Sequence, residues 1–394
     1  MERTTAIFAA LVVAFVIFLP CACGERREEP PSAATMPAPM ATVEPTPATE
    51  PTLTPTAVPP PSLTEQLAFV GVDGDIWLVN ADGSGLRKFA SDVCEGIGGG
   101  SAKYLAWSPT GDKLACVCSD PDYERSLIVL DEAGRQLARL QGRNRFSWSP
   151  DGRQIAYESG PAWPPDELWV LDVGSLEDRA VARTAGPWLM LLAWPVPGRL
   201  LVGVERVGEP PGVFVPYDTY WLHLDSGELE RVPRFDDAQF WLAPSGQWAV
   251  VLDRSQAGWG LAIFDPLTGN EKPIVGSSIA YPSEGIPGAH VAISPDSSTI
   301  YWATSEWTTS EWEEGIGPTV TVWKAQADAS GLTRLGAVPS GLVTVSGYGR
   351  VAYCADAAYG PFSEPCKIVI ADLQRGTHTE IGEGLLSGAW SGTS

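Results

Sequence analysis

One short segment recurs along this chain, and a recurring segment limits the possible folds more than composition does. YLAWSPTGDKLACV begins at Tyr104, FSWSPDGRQIAYES at Phe146 and LLAWPVPGRLLVGV at Leu191. FWLAPSGQWAVVL follows at Phe240, HVAISPDSSTIYWA at His290 and LVTVSGYGRVAYC at Leu342. The anchor residues two places before the proline-like position are Trp107, Trp148, Trp194, Leu242, Ile293 and Val345, at steps of 41, 46, 48, 51 and 52 residues. Within each copy two apolar runs flank a Ser-Pro-Asp-Gly-like cluster. Pro suits the second position of a type I turn and Gly the fourth, so Ser149-Pro150-Asp151-Gly152 reads as a hairpin turn rather than a reactive serine beside a carboxylate.

A second hairpin accompanies each copy. Its leading strand is DIWLVN at Asp75, SLIVLD at Ser126, ELWVLD at Glu167, YWLHLD at Tyr220, LAIFDP at Leu261, TVTVWK at Thr319 and KIVIAD at Lys367. Most of these run into Asp or Asn with a nearby Gly, which tolerate tight-turn conformations. Each unit therefore reads as four strands, A to D. Gly 41, Pro 35 and Trp 16 fit many short strands between tight turns, and no sustained helical period occurs beyond the N-terminus. The spacing predicts an all-β, seven-bladed β-propeller of four-stranded antiparallel blades over residues 64–394. The first unit starts at strand B, LAFVGV from Leu67, and the chain ends in LLSGAWSGTS. The terminal Ala389-Trp390-Ser391 is expected to complete blade one and close the ring, removing exposed sheet edges.

The repeats DIWLVNADGSGLRKFA (Asp75–Ala90) and WSPDGRQIAY (Trp148–Tyr157) closely resemble those of TolB-type, WD-like β-propellers. The resemblance runs from Leu67 to the C-terminus and implies the fold. It implies little about function, because such repeats serve many roles. TolB has a separate N-terminal domain and six blades, so its envelope role is not carried over.

Residues 1–23 read as an export signal: Ala6–Pro20 is almost wholly apolar and ends at Cys21-Ala22-Cys23-Gly24. Ala22-Cys23 resembles a bacterial lipoprotein cleavage site, with Cys23 as the lipidated residue; an uncleaved signal anchor is the alternative. Residues 24–63 read as a disordered Pro/Thr-rich tether, with 11 prolines between 30 and 63. The protein is thus expected to be extracytoplasmic, anchored to the membrane of a bacterial cell envelope. Five further cysteines fit an oxidising compartment, where pairing is expected. Cys354 and Cys366 bracket one B–C loop, and Cys94 is expected to pair with Cys118, with Cys116 as the rival. No paired C-x-x-C knuckle points to zinc, and neither metal nor cofactor is expected.

No G-x-S-x-G nucleophile elbow occurs, and His223, His290 and His378 share no local motif. Paired carboxylates such as Asp236-Asp237 and Glu313-Glu314 do not by themselves make a glycosidase. Of 26 Lys and Arg and 48 Asp and Glu, residues 1–63 hold 3 and 6, leaving 23 against 42. That net −19 excludes a nucleic-acid footprint and favours cationic partners. The long B–C loops carry Tyr123, Trp163, Tyr217, Trp259, Trp307, Trp312, Tyr359 and Phe362 among acidic residues. Aromatic residues on loops of a rigid scaffold form binding anchors, although they also pack together to order the loops. The expectation is a monomeric, non-catalytic scaffold that binds a protein or peptide of the cell envelope on this face. The alternatives are glycan binding through Trp163, Trp307 and Trp312, and an enzyme with its site at the central channel.

Overall fold

The computed structural model describes residues 65–94, 104–119, 125–159, 167–184, 188–206, 217–236, 240–245, 247–255, 258–265, 268–274, 290–306, 319–339, 343–355 and 365–391. The signal segment, the Pro/Thr-rich tether and Cys23 lie outside them. The first unit supplies β1 (Gln66–Gly71), β2 (Ile76–Asn80) and β3 (Arg87–Ala90). The second supplies β4 (Tyr104–Trp107), β5 (Lys113–Ser119), β6 (Arg125–Asp131) and β7 (Gln136–Gln141). The third has β8 (Arg143–Trp148), β9 (Gln154–Ser159), β10 (Glu167–Asp172) and β11 (Asp178–Arg183). Next come β12 (Leu189–Val196), β13 (Arg199–Glu205), β14 (Tyr217–His223) and β15 (Leu229–Arg231). The fifth unit has β16 (Phe240–Leu242), β17 (Ala249–Ser255), β18 (Gly258–Phe264) and β19 (Glu271–Pro273). The sixth has β20 (His290–Ile293), β21 (Thr299–Glu306), β22 (Thr319–Gln326) and β23 (Thr333–Pro339). The last has β24 (Val343–Val345), β25 (Val351–Cys354), β26 (Cys366–Asp372) and β27 (Thr377–Trp390). Among the described residues the only helix is the single 3-10 turn Pro233–Phe235.

The described residues do not form the seven separate four-stranded blades that the spacing predicts. Units two to six form five four-stranded antiparallel sheets, but the remaining strands make one curled seven-stranded sheet in the order β24-β25-β26-β27-β1-β2-β3. The cause is β27, whose 14 residues run on without a turn. Its first part pairs with β26, from Asp372↔Thr377 to Cys366↔Gly384. Its second part pairs with β1, from Gly71↔Gly384 to Leu67↔Trp390. Gly384 belongs to both ladders. A Cβ there would stand 2.5 Å from the Val70 carbonyl oxygen, so only glycine allows the crossing. With no break between the last D strand and the strand beside β1, the two units share one sheet and no separate seven-bladed ring is formed.

The core lies between successive units. Leu114, Cys116 and Ile128 pack against Val70, Ile76 and Leu78, and Ile155 and Tyr157 against Ala115, Val117 and Leu127. Trp302 and Ile300 meet Val250 and Leu252 in the same way. Cys354, Ile368 and Ile370 meet Leu67, Phe69 and Trp390. Central strands buried on both faces read as near-continuous apolar runs, which is why LACVC and IAYES lack polar alternation.

The repeated serine closes the A–B hairpin. Ser149 Oγ donates to Asp151 Oδ1 at 2.7 Å and accepts the Gln154 N–H at 2.9 Å. Ser294 does the same with Asp296 (2.6 Å) and the Thr299 N–H (2.8 Å). Ser108 and Ser346 accept the Lys113 and Arg350 N–H groups at 3.1 and 2.9 Å. All four serines are buried. Gly152 adopts φ 67°, and in the sixth unit Ser297 takes the same left-handed conformation at φ 56°. The serine is a structural pin with no reactive geometry.

Candidate functional site

The two ends of the strands differ in how the chain is held. At the A–B and C–D end, short turns are closed by side-chain hydrogen bonds such as those of Ser149. Asp131 and Asp172 act likewise, accepting the Arg135 and Ser175 N–H groups at 2.9 Å. These bonds hold Asp131, Asp151 and Asp172 below the usual carboxylate range. At the B–C end the connections vary, from two residues between β17 and β18 to 12 between β21 and β22, and two of the long ones are covalently braced. Cys354 closes β25 and Cys366 opens β26, joined by a disulfide with a Cα–Cα distance of 5.5 Å. Cys94, beyond β3, is bonded to Cys118 near the end of β5, with a Cα–Cα distance of 5.4 Å. Cys116 is free and buried, and burial pushes its thiol up to about 12.

Of the eight aromatic residues expected on this face, Tyr123, Trp163, Trp307, Trp312, Tyr359 and Phe362 lie outside the described residues. Trp259 stands in β18 opposite Arg254, with its side chain outside the description. Tyr217 opens β14 opposite Glu205. Its aromatic ring packs on Gly203, where a Cβ would come within 2.9 Å of Cδ2. Tyr217 is half-buried in its own hairpin, so packing claims this residue at least in part.

Beside Tyr217 lies a charged network that the sequence pattern did not reveal. Arg206 donates from Nε to Asp218 Oδ1 at 2.6 Å and from Nη2 to the Tyr217 carbonyl at 3.1 Å. Arg231 Nη2 reaches both Asp218 Oδ1 (3.0 Å) and Asp236 Oδ2 (2.6 Å). Asp236 Oδ1 also accepts the Thr219 N–H at 2.7 Å. Burial raises the Asp236 pKa, while the Thr219 N–H and the two arginines oppose the rise. Asp236 braces the segment after β15; its sequence neighbour Asp237 lies outside the described residues. The partners of Asp236 come from β14, β15 and the residue just past β13, which no local spacing could show.

The same end holds Glu158, which sequence reasoning also missed. It lies three residues beyond the partner of Trp148 in β9, the register position that Val117 and Cys354 occupy in their units. Only 1% exposed, it accepts the Leu191 N–H on Oε1 at 2.9 Å. Its Oε2 is buried and has no hydrogen-bond partner among the described residues. Burial drives its pKa up, against the Leu191 N–H and the charges of Arg145 and Arg125. A lone Glu in the apolar run IAYES was the available signal.

At the opposite end Glu65 precedes β1. Burial raises it from 4.5 to about 7, against a hydrogen bond from Ser346 and the charge of Arg350. Burial raises the Tyr301 and Tyr348 hydroxyls too, aided by the negative charges of Asp296 and Glu65. Two histidines have partners: His223 Nε2 lies 3.3 Å from Glu230 Oε2, and His378 Nδ1 lies 3.2 Å from Tyr353 Oη. The His290 side chain lies outside the description.

No protein-family model and no curated protein sequence matches the chain. Solved structures do. An oligogalacturonate lyase in complex with manganese matches at a TM-score of 0.50 and 12% identity, over 80% of this chain and 83% of that one. An oligogalacturonate lyase from Vibrio parahaemolyticus matches at 0.50 and 13%, over 82% and 85%. TolB from Acinetobacter baumannii matches at 0.47 and 13%, over 83% of this chain and 66% of that one. At such identities the likeness to the lyases shows the fold alone. What the chain has in common with them is the β-propeller fold.

Proposed function

We propose that this protein is a non-catalytic, membrane-tethered, extracytoplasmic β-propeller that holds a protein or peptide partner on its B–C end. The observation that carries this reading is the asymmetry between the two ends. Tight hydrogen-bonded turns finish one end, whereas both disulfides brace long connections at the other. A braced loop loses less conformational freedom when a partner orders it, so bracing favours binding. The disulfides also favour an oxidising, extracytoplasmic compartment. Trp307 and Trp312 supply aromatic anchors among Glu306, Glu311, Glu313 and Glu314, which suits a partner presenting basic side chains.

The test compares capture from envelope extracts by the full chain, by Trp307→Ala/Trp312→Ala, and by Ser149→Ala at the other end. The reading requires a partner that the tryptophan variant loses by at least tenfold and the serine variant keeps. Equal capture by all three removes the B–C end as the site. A glycan array run alongside, if positive for the intact chain and blank for the tryptophan variant, replaces the protein partner with a carbohydrate.

A further inference from the structure

Three sulfurs meet between the first two units. The Sγ atoms of Cys94, Cys116 and Cys118 all lie within 4.8 Å of one another, and all three residues are buried. Cys116 and Cys118 are two apart on β5, so their side chains share one face of the strand. They point into the core made by Val70, Ile76, Phe89 and Val93. Cys94 reaches the same point from the segment after β3 and is bonded to Cys118. Bracing that segment needs two cysteines. The third is the residue to be explained.

We infer that, once the Cys94–Cys118 bridge is reduced, these three cysteines form a three-sulfur site for a soft monovalent cation, Cu(I).

Sulfurs bound about 2.3 Å from one metal ion stand roughly 3.8–4.0 Å apart. Cys116 Sγ and Cys118 Sγ are already 3.9 Å apart. Reduction then only has to let Cys94 Sγ retreat from bonding distance to the same separation. Thiolates select Cu(I) and zinc over harder cations, and a structural zinc site takes four protein ligands. Among the described residues no imidazole or carboxylate joins this group, so the donor set is three sulfurs. Cu(I) accepts such a low-coordinate, all-sulfur shell. Three thiolates around Cu(I) are negative overall, and burying that charge requires a counter-ion. Arg139 supplies one: its Nη2 donates to the Val93 carbonyl at 3.0 Å, beside Cys94.

The chemistry balances with an external dithiol as reductant. One dithiol sulfur attacks the bridge, and the second closes the reductant's own disulfide. Two electrons pass to Cys94 and Cys118, which become thiols. Cu(I) then replaces the thiol protons, which leave to water, with no further electron transfer.

The test uses the full chain, reduced anaerobically with a dithiol, freed of reductant and titrated with Cu(I) against a chromophoric Cu(I) chelator. Native-state alkylation and mass mapping follow. One Cu(I) per chain is expected, with Cys94, Cys116 and Cys118 protected together and Cys354 and Cys366 labelled as in the metal-free chain. X-ray absorption should count three sulfurs, and Cys116→Ala should bind at least tenfold more weakly with two. Absence of uptake, protection confined to Cys21 and Cys23 or to Cys354 and Cys366, or unchanged binding by Cys116→Ala overturns the inference. Should Cys116→Ala fail to fold, the sulfur count and labelling map of the unaltered chain decide.

Discussion

Gln66 and Ser391, 325 residues apart, are joined by two hydrogen bonds: the Gln66 N–H donates to Ser391 Oγ and the Ser391 N–H to the Gln66 carbonyl, each at 2.8 Å. One position earlier, Trp390 faces Leu67 in the ladder and is 2% exposed. Trp390→Ala should therefore lower stability by about 3–5 kcal/mol, the usual cost of emptying a buried aromatic site. Removing residues 385–394 should do more, because it also exposes the edge of β1 to other chains. Urea titration measures the first effect; light scattering of the truncated chain measures the second.

Glu65 gives stability a distinct pH dependence. Its carboxyl rises from 4.5 to about 7 on folding, so the folded state binds the proton more tightly than the unfolded one. Its contribution is complete below pH 4.5 and is lost as pH rises through 7, on the order of 3 kcal/mol. Glu65→Gln should flatten that part of the profile and leave the protein more stable than the parent at pH 8. Unfolding curves at pH 5, 6, 7 and 8 compare the two chains. A parent profile that rises over this window would contradict the assignment.

The braces can be removed one at a time. Cys354 and Cys366 are 12 residues apart, a loop whose closure stabilises by about 3 kcal/mol in the chain-entropy account. Cys354→Ser/Cys366→Ser should lose roughly that amount in denaturant titration and weaken partner capture on the B–C end. Under non-reducing conditions, peptide mapping of the parent should recover Cys94 with Cys118 and Cys354 with Cys366.

Ser149→Ala tests the hairpin reading of the repeated serine. It removes one hydroxyl that donates once and accepts once, so a loss of about 1–2 kcal/mol is expected. Partner binding should be unchanged. Asp151, held low by the Ser149 hydroxyl, contributes stability that is present above its ordinary pKa and is lost as pH falls through the depressed one. In the Ser149→Ala chain that acid-side loss should be smaller.

Much of the strand pattern was legible because each repeat carries its own turn chemistry. Ser-Pro-Asp-Gly encodes a hairpin locally, and apolar runs such as IAYES encode a strand buried on both faces. The pairing of Cys354 with Cys366 was equally accessible, since both cysteines belong to one hairpin. The number of separate sheets was not. Whether Thr377–Trp390 breaks between two blades or runs through depends on Gly384, which lets two ladders cross beside the Val70 carbonyl, a contact made across more than 300 residues.

The candidate site divides in the same way. The braced ends can be read from cysteine spacing, whereas six of the eight aromatic loop residues lie outside the described residues. By contrast, Glu158 meets the Leu191 N–H of the next unit, and Asp236 gathers Thr219 from β14, Arg231 from β15 and Arg206 from just past β13. Such groups become partners only when sheets stack, because burial and charge depend on what lies across the interface rather than on neighbours in sequence. The sequence alone therefore determined the repeat, its turns and the one cysteine hairpin. Tertiary structure decided how the first and last units merge, which acids are buried, and that a third sulfur stands beside the Cys94–Cys118 bridge.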